Sequence, residues 1–507
     1  MNTTITKSPS APLGHPDKLY INGQWVPAST GSQLEVIAPA TEEVYLRVAE
    51  GRESDIERAV AAARQAFDKG PWPRLSHAER AKYLLAIATK LDERADDISA
   101  IWPNEMGILH SLARAYSGSV SGLYRYYAGL SKRFEFEEEH RTFSGAKAGF
   151  LVREPVGVVG AVIPWNGAIS LIAFKLAPAL LAGCTVVIKA SPEAPGHALL
   201  MAEIADEIGL PPGVINVLTA DRAASEALVR HPGVDKIAFT GSSAAGKKIA
   251  SVLGSRMGRY TLELGGKSPA IVLDDYDVEL AARTIARAAP DMTGQVCASL
   301  TRIIVSRSRH DQMVEALSAE FSKVQVGDPF DSASEMGPLA TRRQLERVEG
   351  YIAGACDAGF TLATGGRRPG HLSRGFFIEP TVFGNVHNKS IIAQEEVFGP
   401  VLVVIPAKDE CDAIDIANDS VYGLNSAVFT NDIDRAYQVA RELRTGTVGH
   451  NSIRMDFSIA FGGFKESGVG REGGIEGLRP YLESKTLLLD GVPSHREDPT
   501  RPAVPNK

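Results

Sequence analysis

The sequence predicts an α/β protein built on two parallel sheets. Between residues 156 and 252, four short apolar runs alternate with four helical patterns. Strands alternating with helices at this spacing form a parallel sheet with helices on its faces. After Gly265 the alternation restarts and runs to about residue 450. That restart predicts a second α/β unit.

The elements follow in order. Residues 1–17 are polar and rich in Pro and Ser, and 493–507 repeat that composition, so both ends read as loose tails. Residues 54–68 place Ile56, Ala59, Val60, Ala63 and Phe67 on one helical face; residues 76–95 place Leu84, Leu85, Ile87, Ala88 and Leu91 on another. Serines at both starts suit N-caps. Strands are predicted at 156–163, 185–189, 214–218 and 236–239. The helices between and after them fall at 168–181, 197–208, 223–230 and 243–252. Residues 270–273 and 301–305 read as strands of the second unit, with 278–289 a helix. Residues 133–152 and 481–489 contain strand-like pieces that fit neither unit. Exposed strands need a partner, so both are expected in an arm that joins subunits; the alternative is a hairpin folded back on its own chain.

Composition narrows the function class. The 507 residues are 44% apolar and 23% charged, which suits a globular chain with a large core. The net charge of −7 argues against binding nucleic acid through a basic face. The most apolar stretch, 169–188, is broken by Lys175, Pro178 and Gly183, so it reads as buried structure, not a membrane span. There is no hydrophobic signal core at the start. The four cysteines (Cys184, Cys297, Cys356, Cys411) show neither a disulfide framework nor metal-ligand spacing. A reduced, cytoplasmic enzyme is expected. Cys184, Cys356 and Cys411 read as packing residues.

Ligands bind parallel sheets at the carboxyl ends of their strands, which singles out several positions. Cys297 lies in a loop just after Gly294; a free cysteine is most often a small buried hydrophobe, and the alternative is an exposed nucleophile. Glu263 ends a strand before Gly265-Gly266; it is either a solvent-facing strand residue or a desolvated general base. Asn166, in Pro164-Trp165-Asn166-Gly167, either caps a helix or donates to an oxyanion. The turn Phe239–Gly246 departs from the GxGxxG and P-loop signatures, yet N–H groups at a helix start can hold phosphate. Lys189 and Glu396 read as either solvated charges or ligands of a ribose or phosphate.

Taken together, these elements resemble the NAD(P)-dependent aldehyde dehydrogenase superfamily, from about Lys18 to Leu489. The motifs that carry the resemblance are PWN at 164–166, FTGS at 239–242, LELGGKSP at 262–269, GQVC at 294–297, GDPF at 327–330, MGPL at 336–339, EEVFGPV at 395–401 and FGGFKESGVGRE at 461–472. The resemblance implies a Rossmann-like cofactor domain (18–132 and 153–263), an α/β catalytic domain (264–473) and a bridging β-arm (133–152 and 474–492) for assembly into a homodimer or homotetramer. It implies Cys297 as nucleophile, Glu263 as general base, and Asn166 with the Cys297 N–H as oxyanion hole. For the cofactor, NAD with NADP as an alternative, it implies Pro164, Trp165, Lys189, Ser191, Glu193, Gly241, Ser242, Gly246, Leu264, Glu396 and Phe398. For the substrate wall it implies Gly167, Leu171, Phe174, Val296, Ala298, Met455 and Phe457. No metal is implied. The implied chemistry oxidises an aldehyde to its acid through a cysteine thiohemiacetal and thioester.

The chain departs from the family pattern in four places. Pro192 stands where many NAD-dependent relatives have a glutamate, with Glu193 one residue later. Met292 stands at a common asparagine position, five residues before Cys297. Gly167 replaces a large apolar residue, and the stretch 450–459 carries Arg454, Met455 and Phe457. Gly167 points to medium or bulky apolar aldehydes; Arg454 points the other way, to an acid-bearing semialdehyde. Glu263 favours hydrolysis over a CoA-acylating relative. Retention of nucleophile and cofactor residues disfavours a silent structural member.

Overall fold

The computed structural model describes residues 10–494. Of the expected tails, residues 1–9 and 495–507 lie outside them. In chain order the first strands are β1 (Leu19–Ile21), β2 (Gln24–Val26), β3 (Gln33–Ile37), β4 (Val44–Ala49), β5 (Glu137–His140), β6 (Ala148–Pro155) and β7 (Val158–Val162). Then come β8 (Thr185–Ala190), β9 (Ile215–Thr219), β10 (Lys236–Thr240), β11 (Arg259–Glu263), β12 (Ser268–Val272) and β13 (Leu300–Ser306). The last are β14 (Thr361–Thr364), β15 (Thr381–Gly384), β16 (Val401–Ala407), β17 (Asn425–Phe429), β18 (Thr447–His450), β19 (Gly468–Val469) and β20 (Leu482–Leu489).

The first sheet runs β19-β11-β10-β7-β8-β9-β1-β2. Its centre, β11-β10-β7-β8-β9, is parallel. The order reverses at β7, which lies between β8 and β10. Such a switch point opens a crevice at the carboxyl ends. The residues after β7 and β10, Pro164–Gly167 and Gly241–Ser242, therefore share one edge. The second sheet runs β14-β15-β16-β13-β12-β17-β18 and is parallel except at β14. The division expected at 264–473 is crossed once: β19 pairs with β11, Glu263 opposite Gly468.

Helices cover both faces. They begin with α1 (Glu53–Asp68), α2 (His77–Glu93), α3 (Ala95–Met106), α4 (His110–Leu130), α5 (Ala168–Ala182), α6 (Gly196–Glu207), α7 (Arg222–Arg230) and α8 (Ser243–Gly254). In the second unit α9 (Val278–Ala288), α10 (His310–Phe321) and α11 (Arg342–Asp357) follow. Helix α5 explains the most apolar stretch of the chain. It ends at Gly183, whose φ of 102° is a left-handed C-cap, and β8 completes the run. No helix among the described residues is long and apolar enough to cross a membrane.

Several expectations need correction. Helix α1 is capped by Arg52, whose N–H donates to Asp55 at 3.0 Å, so Ser54 lies inside it; Ser76 does cap α2. Leu85 points outward. Cys356 and Cys411 are exposed, because each falls on the outer face of its helix; Cys184 is buried. The two arm segments pair with each other in one chain, as β20-β6-β5, with Leu482 opposite Pro155 and Leu489 opposite Ala148. Helices α3 and α4 were not anticipated. Their buried faces use Ser, Tyr and Ala as much as Leu or Ile, and α3 carries Pro103, which blurs the apolar period.

Candidate active site

The loop before Cys297 is wound tightly. Met292, Thr293 and Gly294 are successive left-handed residues, with φ of 48°, 57° and 70°. Such a conformation costs a non-glycine residue about 1 kcal/mol or more and persists only where surroundings fix it. Here Thr293 Oγ1 bonds Gly337 O at 3.0 Å and Gln295 Oε1 accepts from Ala340 N at 2.9 Å. A Cβ on Gly294 would lie 2.4 Å from Gly399 O, so only glycine passes there. The turn delivers Cys297 half-buried at its end. Burial, then the carboxylates of Glu396 and Glu263, push its thiol up to about 12.

Asn166 faces this loop. Its side-chain amide donates to Gln295 O at 3.0 Å, and its backbone carbonyl accepts from Trp102 Nε1 at 2.9 Å. An amide NH₂ has two N–H groups. With one bonded to the nucleophile loop, the other is fixed in direction and can serve an oxyanion.

Glu263, at the carboxyl end of β11, is 2% exposed, and neither of its oxygens has a protein hydrogen-bond partner. A Cβ on Gly462 would lie 2.6 Å from its Oε1, so that glycine makes room for the carboxylate. Burial raises the pKa of Glu263 well above the usual carboxylate range, and the charge of Glu472 raises it further; Lys175 and Arg471 oppose this. Lys175 is the one charge in α5. It donates to Glu472 Oε1 at 2.7 Å and to Thr240 Oγ1 at 2.6 Å, wholly buried. Glu263 is thus a desolvated carboxyl beside a buried ion pair, suited to take and pass protons near neutral pH.

The cofactor candidates gather along the carboxyl edge of the first sheet and the loop 395–400. Lys189 is buried, and its one hydrogen bond among the described residues, to Ala220 O, is long at 3.5 Å; burial lowers its pKa to about 8. Helix α8 starts directly after β10. Ser242 caps it, accepting from Ala245 N, which leaves the first N–H groups of Ser243 and Ala244 at the crevice. Gly246 lies in the first turn of α8. Its N–H bonds Ser242 O at 3.0 Å, and a Cβ would lie 2.6 Å from Leu264, so it and Leu264 pack α8 onto the sheet. Glu396 is buried, raised to about 7 by that burial, and accepts from Gly266 N at 3.1 Å. Phe398, at φ 60°, meets Trp165 edge to face at 5.4 Å, and Pro164 lies beside Trp165 in the turn. Ser191 bonds Glu193. A buried ammonium without a short partner, open helix N–H groups and a buried carboxylate with acceptor capacity fit a dinucleotide.

Around Cys297 the walls are apolar. Ala298, Leu424 and Phe461 form a buried cluster that Val296, Cys297 and Phe457 pack against. Phe457 lies 4.3 Å from the Phe174 ring and 5.2 Å from Phe461. A Cβ on Gly167 would meet only Leu171 within 4 Å, at an ordinary contact distance of 3.5 Å, so a side chain can start there without a clash. Met455, two residues before Phe457, is 40% exposed.

Comparison with known proteins agrees with this geometry. The aldehyde dehydrogenase family profile matches residues 25–487. The chain belongs to the aldehyde dehydrogenase family. It is 41% identical to a geranial dehydrogenase of Castellaniella defragrans, over 93% of this chain and 98% of that one. It is 42% identical to aldehyde dehydrogenase 1 of Tanacetum cinerariifolium, over 93% and 94%. A Mycobacterium tuberculosis aldehyde dehydrogenase solved with NAD+ superposes with a TM-score of 0.91 at 42% identity, covering 93% of this chain and 98% of that one. This aldehyde dehydrogenase is an NAD-dependent oxidoreductase with the α/β architecture described above.

Sequence reasoning missed five residues of the site. Trp102 and Leu424 carry no charge or motif signal. Gln295 and Phe461 each stand in a quoted motif but had no assigned role. Lys175 did leave a signal: a lone charge in an otherwise apolar helix needs a buried counter-charge, which Glu472 supplies.

The electrostatics yield a pH prediction. Glu472 raises the pKa of Glu263, so Glu472→Gln should lower it while keeping an acceptor for Lys175. If turnover needs ionised Glu263, the acid limb of the pH–rate profile should move to lower pH. A limb that stays in place, or moves up, contradicts this coupling.

Proposed function

We propose that this aldehyde dehydrogenase oxidises medium or bulky apolar aldehydes to carboxylic acids by hydrolytic covalent catalysis at Cys297. The observation that carries the reading is Glu263, a buried carboxyl with no protein hydrogen-bond partner, acting electrostatically on the Cys297 thiol.

In the free site Cys297 is a thiol and Glu263 resists ionisation. Because the Glu263 carboxyl is raised as well, proton transfer from sulfur to carboxylate is less uphill than the Cys297 shift alone implies. The thiolate then adds to the carbonyl carbon. The Asn166 amide and the Cys297 backbone N–H hold the oxyanion of the thiohemiacetal. NAD, when bound, supplies the hydride acceptor. Collapse leaves a thioester on Cys297. Glu263 takes a proton from the attacking water, the C–S bond breaks, and the acid departs. Glu263 gives up the thiol proton to solvent before the water attacks, and the proton it takes from water returns to the departing Cys297 thiolate.

The apolar ring wall of Phe174, Phe457 and Phe461 and the room at Gly167 support a bulky apolar substrate. The 41% identity to a geranial dehydrogenase points the same way. Arg454 and Met455 are both exposed, and Arg454 has no ion pair among the described residues to mark it as a carboxylate site. NAD is the preferred cofactor, with NADP accepted less well. The outer edges of the arm, β5 and β20, are unpaired among the described residues, which supports a homodimer or homotetramer.

Four results test this. Cys297→Ala should abolish NADH formation. Glu263→Gln should lower steady-state turnover by about 10²–10⁴ yet leave a burst of up to one NADH per site, with the acyl group on Cys297 by mass spectrometry. A slowed burst that higher pH restores would show that Glu263 also deprotonates the thiol; normal turnover would remove its role. Gly167→Phe should depress kcat/KM for bulky aldehydes and spare short ones, since the backbone there is unstrained; equal loss for all lengths would refute the pocket assignment. Light scattering should find a dimer or larger at micromolar concentration, and a monomer would reject the arm as an interface.

A further inference from the structure

The loop after β8 holds an ion pair that joins the two units. Glu193 Oε1 accepts from Arg343 Nη2 at 3.1 Å, and its other oxygen accepts from Ser191 Oγ. Arg343 belongs to the first turn of α11, in the second unit. Glu193 belongs to the first unit, four residues beyond Lys189. Glu193 and Asp221 are the carboxylates that act on the buried Lys189 ammonium. Asp221 is itself shared: Arg52 reaches it at 3.4 Å and Glu50 at 2.5 Å. The charges around this strand end are therefore Lys189, Arg343 and Arg52 against Glu193, Asp221 and Glu50.

Strand ends of this kind read the ribose of a dinucleotide. A carboxylate there accepts from the ribose hydroxyls and repels a 2′-phosphate, while an arginine accommodates one. In this chain both groups are present and bonded to each other. Pro192 occupies the preceding position and carries no charge. The Glu193 side chain is 25% exposed and anchored on both oxygens, so it is a weakened acceptor. The Arg343 side chain is 79% exposed with one N–H committed to Glu193. A guanidinium has five N–H donors, so most of its donors face outward.

We propose that Arg343 is a specificity-determining residue for the cofactor: paired with Glu193, it both masks the carboxylate that would exclude a 2′-phosphate and offers that phosphate a guanidinium. The Glu193–Arg343 pair thus sets the ratio of NADP to NAD affinity. This rests on the cofactor reading above, in which NADP is accepted less well than NAD.

Binding separates the two ideas without any turnover. NAD, NADP and 2′,5′-ADP are titrated against the wild type, Arg343→Ala and Glu193→Gln by calorimetry. Arg343→Ala removes the phosphate partner and unmasks Glu193. The ratio of Kd for NADP to Kd for NAD should rise about tenfold or more, the scale of a lost charge-assisted bond. Binding of 2′,5′-ADP should weaken in parallel. Glu193→Gln frees the guanidinium and removes the repelling charge, so the ratio should fall by about the same factor. Added salt should weaken NADP more than NAD in the wild type and equalise them in Arg343→Ala. If wild type binds NADP but Arg343→Ala leaves the ratio unchanged, Arg343 has no such role and dual acceptance stands. If neither wild type nor Glu193→Gln binds NADP at millimolar concentration, both the inference and the cofactor reading fail.

Discussion

One buried ammonium serves two buried carboxylates in this site. Lys175 bonds Glu472 directly, and Glu263 lies near enough to feel both. In a medium of low dielectric such a trio cannot hold both carboxylates fully charged at little cost. The proton excess settles on Glu263, which has no bond to stabilise its ionised form. Much of the architecture around it follows from that constraint. Helix α5 buries Lys175 because its other buried positions are apolar and pack under the sheet. Thr240, at the end of β10, gives the ammonium a second acceptor. The pairing of β19 with β11 brings the segment holding Glu472 and Gly462 over the carboxylate. A sheet strand from the far end of the chain is thus part of the electrostatics of the base.

The second constraint is steric, and it explains why the motifs occur as a set. The loops 265–266, 292–297 and 395–400 interlock through glycines. A Cβ on Gly266 would lie 2.3 Å from Cys297 O, and one on Gly294 would strike Gly399. A Cβ on Gly265 would lie 2.6 Å from Glu396 Oε2. Each loop therefore fits only while the others keep their shape. Met292 shows the margin in this arrangement. It takes a left-handed conformation that asparagine adopts more readily, and the chain tolerates the strain because Thr293 and Gln295 tie the turn down on either side.

The parallel sheets and the chemical groups were legible in the sequence, for separable reasons. Buried parallel strands read as short apolar runs, so β7, β8, β9 and β10 stood out. Cys297, Glu263 and Asn166 stood out because glycines and strand ends flank them. Other features depend on tertiary placement and left weaker traces. The direction of Asn166 is set by Trp102 and Gln295, which are remote in sequence and uncharged. The buried faces of α3 and α4 use serine, and in α4 tyrosine, where a periodicity reading looks for leucine. The arm's internal pairing joins strands more than three hundred residues apart, which no local pattern can announce. Gly246 carries a packing constraint that the turn motif does not announce: a Cβ there would lie 2.6 Å from Leu264.

The division of labour between the two units follows from where the ligating groups arise. The first sheet supplies Glu263, Asn166 and Lys189 from the carboxyl ends of its strands, where backbone position is most firmly held by neighbours on both sides. The second unit supplies Cys297, Glu396 and Arg343 from loops and a helix start. Chemistry at Cys297 therefore needs the crevice between units to keep its width. Bonds that cross it do this without closing it. Asn166 reaches the nucleophile loop, Arg343 reaches Glu193, and Ser243 reaches Glu466 O at 2.8 Å. On the roles proposed above, two of the three use residues that face the cofactor or the oxyanion. The contacts that fix the spacing of the units are thus, in part, the contacts that read the ligands. A change in one ligand-reading residue can then alter binding at its own position and the register of groups across the crevice.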